Sequence, residues 1–586
     1  MRKSLFAGVS LVALGLALEA NAADLNVEAV KAPAPALIWN WAGLYIGAHV
    51  GGAWGTTDFS DPFGTSVFGD KVRTPGFLGG GQVGYNWQTP GSSWVFGVEA
   101  NISGFESDGT NTCFAASALT INATCRVRPQ LAGTFTGRIG YAVGASGHTL
   151  IYGKGGVAWV NDQIDMALNA GGAPGFSTSN SQTVTLRGGT FGVGVEQALT
   201  SAWSLKVEYD YLGLVGKNVA NLGAVSFLST PPFDIVGNVP PGTSGVLQKL
   251  QEVKVGVNYK WGADPSAPGW SAVAPMAYPV KARPMTPVVG WEFEGGGRYF
   301  GSWGQFHKDL GFFTTSGLPS ISNVSRTTYD DLQTNSGEFF GRVETSWNLF
   351  VKGFIGGGST GNGHMNDEDF VLPLGGLLGA YSNTLSSNVT GKITYGAIDG
   401  GIDFLRGPGY KVGVFGGYFA LDQAMNAFGC TPVAFVNCIP SVPTSGSAII
   451  TENDKWRAAR IGVAGEAMLT DRVKLSGEVA YLPWVHFDGV DQHFFGNFGM
   501  LAENFPESGN GRGVQVEALV SYYLTPQWSV GVGGRYWGIW TTSGQMNCTF
   551  GASGLCGATP TPPQFFKAQV EQAGALVQTS YKFSTP

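Results

Sequence analysis

The sequence predicts an all-β protein: two tandem transmembrane antiparallel β-barrels, of about eight and about ten strands, joined by a Pro-rich linker. Glycine makes up 90 of 586 residues and aromatic residues 12%, whereas only 13% are charged, about half the usual quarter. The segment "SLKVEYDYLGL" alternates apolar and charged residues, as a strand does between lipid and a polar lumen. A soluble sandwich with one buried face is the alternative, and the aromatic content and strand lengths disfavour it.

The N-terminus has the three parts of a secretory signal peptide. Arg2 and Lys3 form a basic start, residues 5–18 are apolar, and "ANA" is a small-residue cleavage site before Ala23. We therefore predict that residues 1–22 are a signal peptide. No later segment has about 18 uninterrupted apolar residues, so membrane-spanning helices are not expected.

The first barrel is predicted to span residues 23–262. Its eight strands are expected to start near the following residues: Trp41, Pro75, Trp94, Phe135, Thr149, Thr190, Trp203 and Gln248. Through "WAGLYIGAHVGGAWG", "FTGRIGYAVG" and "VKVGVNYKWG", this half resembles the small eight-stranded outer-membrane proteins of the opacity and immunogenic-porin type. The resemblance implies a surface or structural role. Eight strands leave room only for side chains in the lumen, which argues against a diffusion porin.

Six prolines in "ADPSAPGWSAVAPMAYPVKARPMTP" predict an extended linker over residues 263–288. The second barrel, residues 289–586, is expected to have ten strands because short and long connections alternate. The predicted tight turns are 346–350, 405–411, 469–473 and 524–528, and the predicted long external loops lie near 303–335, 359–390, 422–453, 487–511 and 541–565. An even strand number places both ends of this barrel in the periplasm.

Charge and cysteine content exclude some functions. A net charge of -7 gives no basic surface for nucleic acid. The six cysteines form three close pairs, which predict three local disulfides in an exported chain: Cys113 with Cys125, Cys430 with Cys438, and Cys548 with Cys556. Charged lumen residues, namely Lys206, Glu208, Asp210 and Arg535, are predicted to form ion pairs that fill narrow barrels.

Two polar elements lie at the predicted outer end of the second barrel. "MNDEDF" contains Asp367 and Asp369, and "DQH" contains Asp491 and His493. Residues two apart in an extended segment share a face, so each pair can point into one groove across the rim. The alternatives are a solvated acidic loop, or one that binds Ca²⁺ or bridges lipopolysaccharide through divalent ions. A zinc site is disfavoured because the rim histidines lack HExxH-type spacing; they are His307, His364, His486 and His493.

Residues 289–583 resemble the omptin family of outer-membrane endopeptidases. The similarity is carried by "MNDEDF", "DQH", "LTDRVKLSGEVAYLPWVHFDGVDQH", "YYLTPQWSVGVGG" and "EFFGRVETSWNLFVKGFIGGG". It implies that Asp367 and Asp369 are the acidic pair and that Asp491 and His493 are the opposing dyad. A water activated between them would hydrolyse surface-accessible peptide bonds without a Ser or Cys nucleophile.

The resemblance also sets expectations for partners. It implies peptide or protein substrates, contact with outer-membrane lipid and lipopolysaccharide, lipopolysaccharide as an activator, and no other cofactor. The protein is expected in the outer membrane of a Gram-negative bacterium, with the site facing outside. The two acids of the family's substrate pocket fall at Gln305 and Gly489, so a preference for basic residues is not expected to carry over. The alternative function is a non-catalytic tandem barrel with a structural, adhesive or surface-antigen role.

The strand before "DQH" raises a problem of side-chain direction. Its odd-numbered apolar residues are predicted to face lipid: Val473, Leu475, Val479, Tyr481 and Val485. Asp491 and His493 are odd-numbered too, so strict alternation would point them away from the lumen. We therefore predict a bulge or turn near Gly489 that resets the register.

Overall fold

The computed structural model describes residues 39–60, 71–115, 122–144, 147–169, 179–220, 225–228, 236–239, 242–262, 285, 290–313, 321–374, 377–434, 448–495, 500–547, 550–551 and 563–585. Residues Ile38–Pro586 form one compact unit. Every regular element in the described residues is a β-strand. No helix in these ranges is long and apolar enough to cross a membrane.

The N-terminal half contains eleven strands: β1 (Gly43–Phe59), β2 (Lys71–Trp87), β3 (Trp94–Ser107), β4 (Gly109–Ala115), β5 (Asn122–Val143), β6 (Thr149–Leu168), β7 (Ser179–Ala198), β8 (Trp203–Ala220), β9 (Val225–Leu228), β10 (Val236–Val239) and β11 (Thr243–Lys260). Antiparallel pairings run through β1, β2, β3, β5, β6, β7, β8 and β11 and return to β1. Strand β4 pairs side by side with the outer end of β5. Among the described strands, β9 pairs only with β10. Eight strands therefore form the ring, as predicted.

The C-terminal half contains the remaining strands: β12 (Trp291–Phe313), β13 (Asn323–Thr345), β14 (Leu349–Leu374), β15 (Leu377–Leu385), β16 (Asn388–Gly407), β17 (Tyr410–Phe428), β18 (Thr431–Ala434), β19 (Ala448–Met468), β20 (Val473–Phe495), β21 (Met500–Tyr523), β22 (Trp528–Met546), β23 (Phe550–Gly551) and β24 (Gln564–Ser584). Ten of them close a barrel, because β13 pairs with both β12 and β14. The predicted count of ten is confirmed, and each predicted tight turn joins two of these strands.

Ion pairs fill both lumens, as the sequence predicted. In the first barrel, Lys206 Nζ lies 3.4 Å from Glu208 Oε2, and Lys254 pairs with Asp210. In the second, Arg535 Nη1 donates to Glu338 Oε2 over 2.6 Å. Buried charges require such partners, so these networks occupy the space that an open channel would need.

The predicted long external loops are wrong in their extent. Strand β14 continues through the acidic run to Leu374, with β13 on one side and β15 on the other. Glycine and polar residues in this stretch look like turn signals, but the antiparallel ladder continues because residues 366–369 have cross-strand partners in both β13 and β15. Asp367 and Asp369 therefore lie on a strand beyond Ile355, the last described exposed large apolar side chain of β14.

A bulge does reset the register of β20, but its predicted place near Gly489 is wrong. The pairing of β20 with β21 shifts between Leu482 and Val485. The pairing of β20 with β19 shifts opposite the same segment. Pro483 lies at the shift and has no backbone N–H for the ladder. Val485 is consequently buried in the lumen rather than facing lipid, and later odd-numbered residues follow it inward.

The Cys113–Cys125 disulfide is present and joins β4 to β5. Cys438, Cys548 and Cys556 lie outside the described residues, so the other two disulfides stay predictions. The signal peptide also lies outside them, and so does the linker apart from Met285. The domain boundaries at 22, 262 and 288 stay predictions.

Candidate active site

The outer part of β14 carries the acidic pair. Asp367 and Asp369 are two residues apart, so their side chains share one face, and Glu368 lies on the other. Met365 belongs to the face of the aspartates and is buried in the apolar core of the lumen. Both aspartates are half-buried, so they face the lumen at its outer end.

Asp491 and His493 form a pair on β20, after the bulge has turned them inward. His493 Nε2 lies 3.1 Å from Asp491 Oδ2. The His493 ring meets the ring of Phe505 edge-on at 5.3 Å. Asp491 is almost wholly buried, whereas 30% of the His493 side chain is exposed. The Asp491 carboxylate therefore orients the imidazole, and part of the His493 side chain remains exposed to solvent.

The charges on Asp367, Asp491 and His493 influence one another. Burial alone would lower the pKa of His493, but the carboxylates of Asp491 and Asp367 raise it to about 9. Burial raises the pKa of Asp367 to about 6, with Asp491 adding to the rise and His493 opposing it. The structure thus brings the first acid of "MNDEDF" together with the dyad of "DQH", and Asp369 lies on the same face by alternation.

Lys308 is a site residue that sequence reasoning missed. Its Nζ lies 2.7 Å from Asp491 Oδ2, the oxygen that also faces His493. Burial would raise the pKa of Asp491, but Lys308 and His493 outweigh it and hold that pKa well below its usual range. No sequence signal indicated this role, because β12 reaches β20 only when the barrel closes.

Three further acids lie in the lumen around the same lysine. Glu452, Asp454 and Glu507 are buried, and one carboxylate oxygen from each lies within 4.8 Å of the others. Lys308 Nζ lies 2.6 Å from Glu452 Oε2 and 3.1 Å from Glu507 Oε1. Oxygen ligands of this kind suit a hard divalent cation. The lysine already neutralises part of their charge.

Replacement of Asp454 by asparagine is expected to stabilise the barrel more at pH 8 than at pH 5. Burial and the neighbouring acids Glu452 and Glu507 hold the pKa of Asp454 well above its usual value. A carboxyl with a raised folded-state pKa stabilises the fold at low pH, and this contribution is lost as the pH rises through that pKa. The loss is about 1.4 kcal/mol per pH unit between the unfolded-state and folded-state pKa, and asparagine avoids it.

The measurement is the free energy of unfolding in detergent micelles at both pH values. Asp471→Asn, at an exposed acid in a tight turn, is the control and should show no such pH-dependent gain. An equal gain at both pH values for Asp454→Asn would contradict the expected ionisation of this buried acid.

The positions of the family's pocket acids are filled differently here. Gln305 is buried on β12. A side chain at Gly489 would meet the Phe487 ring at 2.6 Å and Asp454 Oδ1 at 3.0 Å. Asp488 does not replace the missing acid, because its side chain is 60% exposed and pairs with His486 outside the lumen.

The other rim histidines do not join the dyad. His307 is buried, with Nδ1 2.9 Å from Thr328 Oγ1 and Nε2 3.2 Å from Asp309 Oδ1. His486 lies on the outer face of β20. The histidines of the described rim therefore occupy separate environments, and only His493 faces Asp491.

Comparisons with known proteins assign both halves. A model of the outer membrane protein beta-barrel domain matches residues 11–260. A model of the Omptin family matches residues 338–554. The second match includes Asp367, Asp369, Asp491 and His493, whereas Gln305 precedes it.

The N-terminal half also has curated relatives. The 31 kDa outer-membrane immunogenic protein of Brucella melitensis is 31% identical over 261 residues, which cover 43% of this chain and 97% of that protein. The 22 kDa outer membrane protein of Rhizobium leguminosarum bv. viciae is 29% identical over 179 residues, covering 30% of this chain and 68% of that protein.

Among solved structures, the outer membrane protease OmpT from Escherichia coli matches with a TM-score of 0.39 and 16% identity, over 51% of this chain and 98% of that protein. The family models and the named relatives place the protein in the outer membrane of a Gram-negative bacterium. The chain belongs to the outer-membrane β-barrel protein family, and residues 338–554 of its C-terminal half match the Omptin family.

Proposed function

We propose that the second barrel is an outer-membrane endopeptidase of the omptin type that hydrolyses surface-accessible peptide bonds. The observation that carries this proposal is the placement of Asp367 on β14 near the Asp491–His493 pair on β20, close enough for the pair to affect the pKa of Asp367 and for Asp367 to raise the pKa of His493. The site lies at the outer end of the lumen, so substrates reach it from outside the cell.

The proposed chemistry needs only a water molecule and these side chains. Neutral His493 takes a proton from a water held beside Asp367, and the resulting hydroxide attacks the peptide carbonyl carbon. The tetrahedral intermediate collapses when the C–N bond breaks and the imidazolium returns its proton to the leaving amine. Asp491 stabilises the imidazolium between these steps, and Asp369 helps to hold the water.

Two of these roles depend on protonation. His493 acts as a base only when it is neutral, and its pKa is about 9. Asp367 holds the water best as a carboxylate, which requires a pH above about 6. At neutral pH Asp367 is therefore largely ionised, while most of the His493 imidazole is still protonated.

The value of kcat/KM is therefore expected to rise with pH from about 6 to about 9. The measurement is a pH–rate profile of the purified protein in micelles, with a peptide that the protein cuts. A profile that is flat or falls above pH 6.5 would contradict the role of His493 as the base.

Substrate preference and activation remain proposals as well. Because residues 305 and 489 are not acids, we propose that the enzyme prefers peptide bonds beside residues other than the basic ones that the family prefers. Lipopolysaccharide as an activator is carried over as a proposal, and no metal or organic cofactor enters the proposed step.

A second candidate function is supported by the first half of the chain. Its 31% identity to an outer-membrane immunogenic protein favours a non-catalytic, surface-antigen role for the tandem barrel. The two candidates differ in one result, since only the protease requires His493 for peptide cleavage.

A further inference from the structure

The outer face of the second barrel carries a row of alternating charges near the acidic pair. Lys567 of β24, Asp309 of β12, Arg326 of β13 and Glu368 of β14 are consecutive cross-strand neighbours. All four are buried. We call these residues the charge row. Buried charges on the outside of a barrel wall require polar partners, and the first barrel supplies them.

The covering element is the outer end of the first barrel, residues 108–115 and 122–126. Asp108 Oδ1 lies 2.9 Å from Lys567 Nζ. The Thr110 hydroxyl donates to Asp309 Oδ2. The Thr112 hydroxyl donates to Glu368 over 3.0 Å and accepts a hydrogen bond from Arg326. Three alternate residues of one strand edge thus contact the whole charge row in order.

The covering element is itself cross-linked at the point of contact. Arg326 Nη2 donates to Thr124 Oγ1 over 3.2 Å, and Thr124 lies directly across the ladder from Thr112. The Cys113–Cys125 disulfide joins the next residues of the two strands. A cross-link here limits the motion of both threonines relative to each other.

The two barrels also share an apolar contact on their outer walls. Trp54 and Tyr536 lie with ring centroids 4.8 Å apart, and Phe77 and Tyr481 4.7 Å apart. A Cβ atom added at Gly52 would lie 2.5 Å from Val516 Cγ2. The walls therefore touch closely, and a larger residue at position 52 would push them apart.

Glu368 links this interface to the candidate site. It lies between Asp367 and Asp369 in β14 and points to the opposite face. The pairing of β14 with β16 ends at Gly363, and around Glu368 the short strand β15 takes the place of β16, with β13 still on the other side. The Glu368 carboxylate is held by Thr112 and by the Tyr381 hydroxyl, which donates over 2.7 Å. Fixing residue 368 fixes the directions of its two neighbours.

We propose that residues 108–115 and 122–126 of the first barrel clamp the outer end of β14 and so position Asp367 and Asp369, which makes the N-terminal barrel a structural part of the site. The catalytic meaning of the clamp rests on the proposed function; the clamp itself does not. Thr112 acts as a positioning residue through Glu368, and the two barrels form one body that stays together without the linker.

Association is tested on detergent-solubilised, full-length protein that carries a site-specific protease cleavage sequence within residues 263–288. After the linker is cut, the wild-type halves are expected to co-elute from a sizing column. Gly52→Leu is expected to separate them. Gly137→Leu is the control, because that exposed glycine of β5 has open space around it. Wild-type halves that elute separately would overturn the proposal.

Positioning is tested by hydrogen exchange of the backbone amides of residues 365–370. Thr112→Val removes the hydroxyl at nearly constant shape and is expected to speed this exchange, whereas Thr112→Ser restores the wild-type rate. Thr183→Val is the control, because the Thr183 hydroxyl donates to Gln163 within the first barrel. Unchanged exchange in Thr112→Val would overturn the clamp.

Kinetics add a third result. In Thr112→Val, kcat is expected to fall about tenfold to a hundredfold with little change in KM, and Thr112→Ser should recover it. A wild type that cuts no peptide but shows the exchange differences would contradict the proposed protease and support the clamp. An active enzyme whose kcat is the same in Thr112→Val would overturn the positioning role.

Discussion

Replacement of Asp491 by asparagine is expected to lower kcat/KM for a cleaved peptide by about 100- to 10,000-fold. The asparagine keeps the shape but no longer stabilises the imidazolium of His493. It also removes the carboxylate that, of the two that raise the pKa of His493, has the larger effect. The ascending limb of the pH–rate profile should therefore move from about 9 toward 6.5, the usual value for histidine.

The chain provides a matched control for this variant on the same strand. His486 and Asp488 form a second pair two residues apart, with Nε2 3.2 Å from Oδ2, but they lie outside the lumen. Asp488→Asn is expected to leave both kcat/KM and the pH profile unchanged. Equal losses in the two variants would show that the loss is unrelated to the lumen dyad.

Replacement of Lys308 by methionine is expected to lower the free energy of unfolding by about 3–5 kcal/mol, the usual result of removing one partner from a buried ion pair. Lys308 is buried among Glu452, Asp491 and Glu507, and methionine removes the cation that these three carboxyl groups share. Activity should fall as well, because Lys308 helps to keep Asp491 ionised.

The measurement for Lys308→Met is unfolding by denaturant in micelles. Lys455→Met, at an exposed lysine on the neighbouring strand β19, should change the free energy of unfolding by no more than about 0.5 kcal/mol. A Lys308→Met protein as stable as this control would contradict the structural role of the lysine.

Much of the fold follows from local sequence patterns. Period-two alternation identifies strands, and short polar segments such as 469–473 mark turns that hydrogen bonding then closes. The ladder of β14 beyond Ile355 could not be predicted in this way. Its glycines and acids look like a loop, and only pairing with β13, β16 and β15 makes them a strand.

The candidate site was predictable only in part. The "MNDEDF" and "DQH" motifs identified four residues, and the structure brings Asp367 together with Asp491 and His493. The inward direction of the dyad depends on a bulge at Pro483, which alternation alone cannot locate. Lys308 joins them through barrel closure, and Thr112 reaches β14 only because a different barrel packs beside it.

The most direct test of the proposed protease uses whole cells in a host without surface proteases of its own. Cells displaying the wild type or His493→Ala are incubated with a diverse peptide library, and the cut sites are read by mass spectrometry, with folding of both proteins verified. We expect cuts that are present for the wild type and absent for His493→Ala, with a pattern that reports what Gln305 and Gly489 select. Identical patterns from the two folded proteins would contradict the account and leave a barrel without its chemistry.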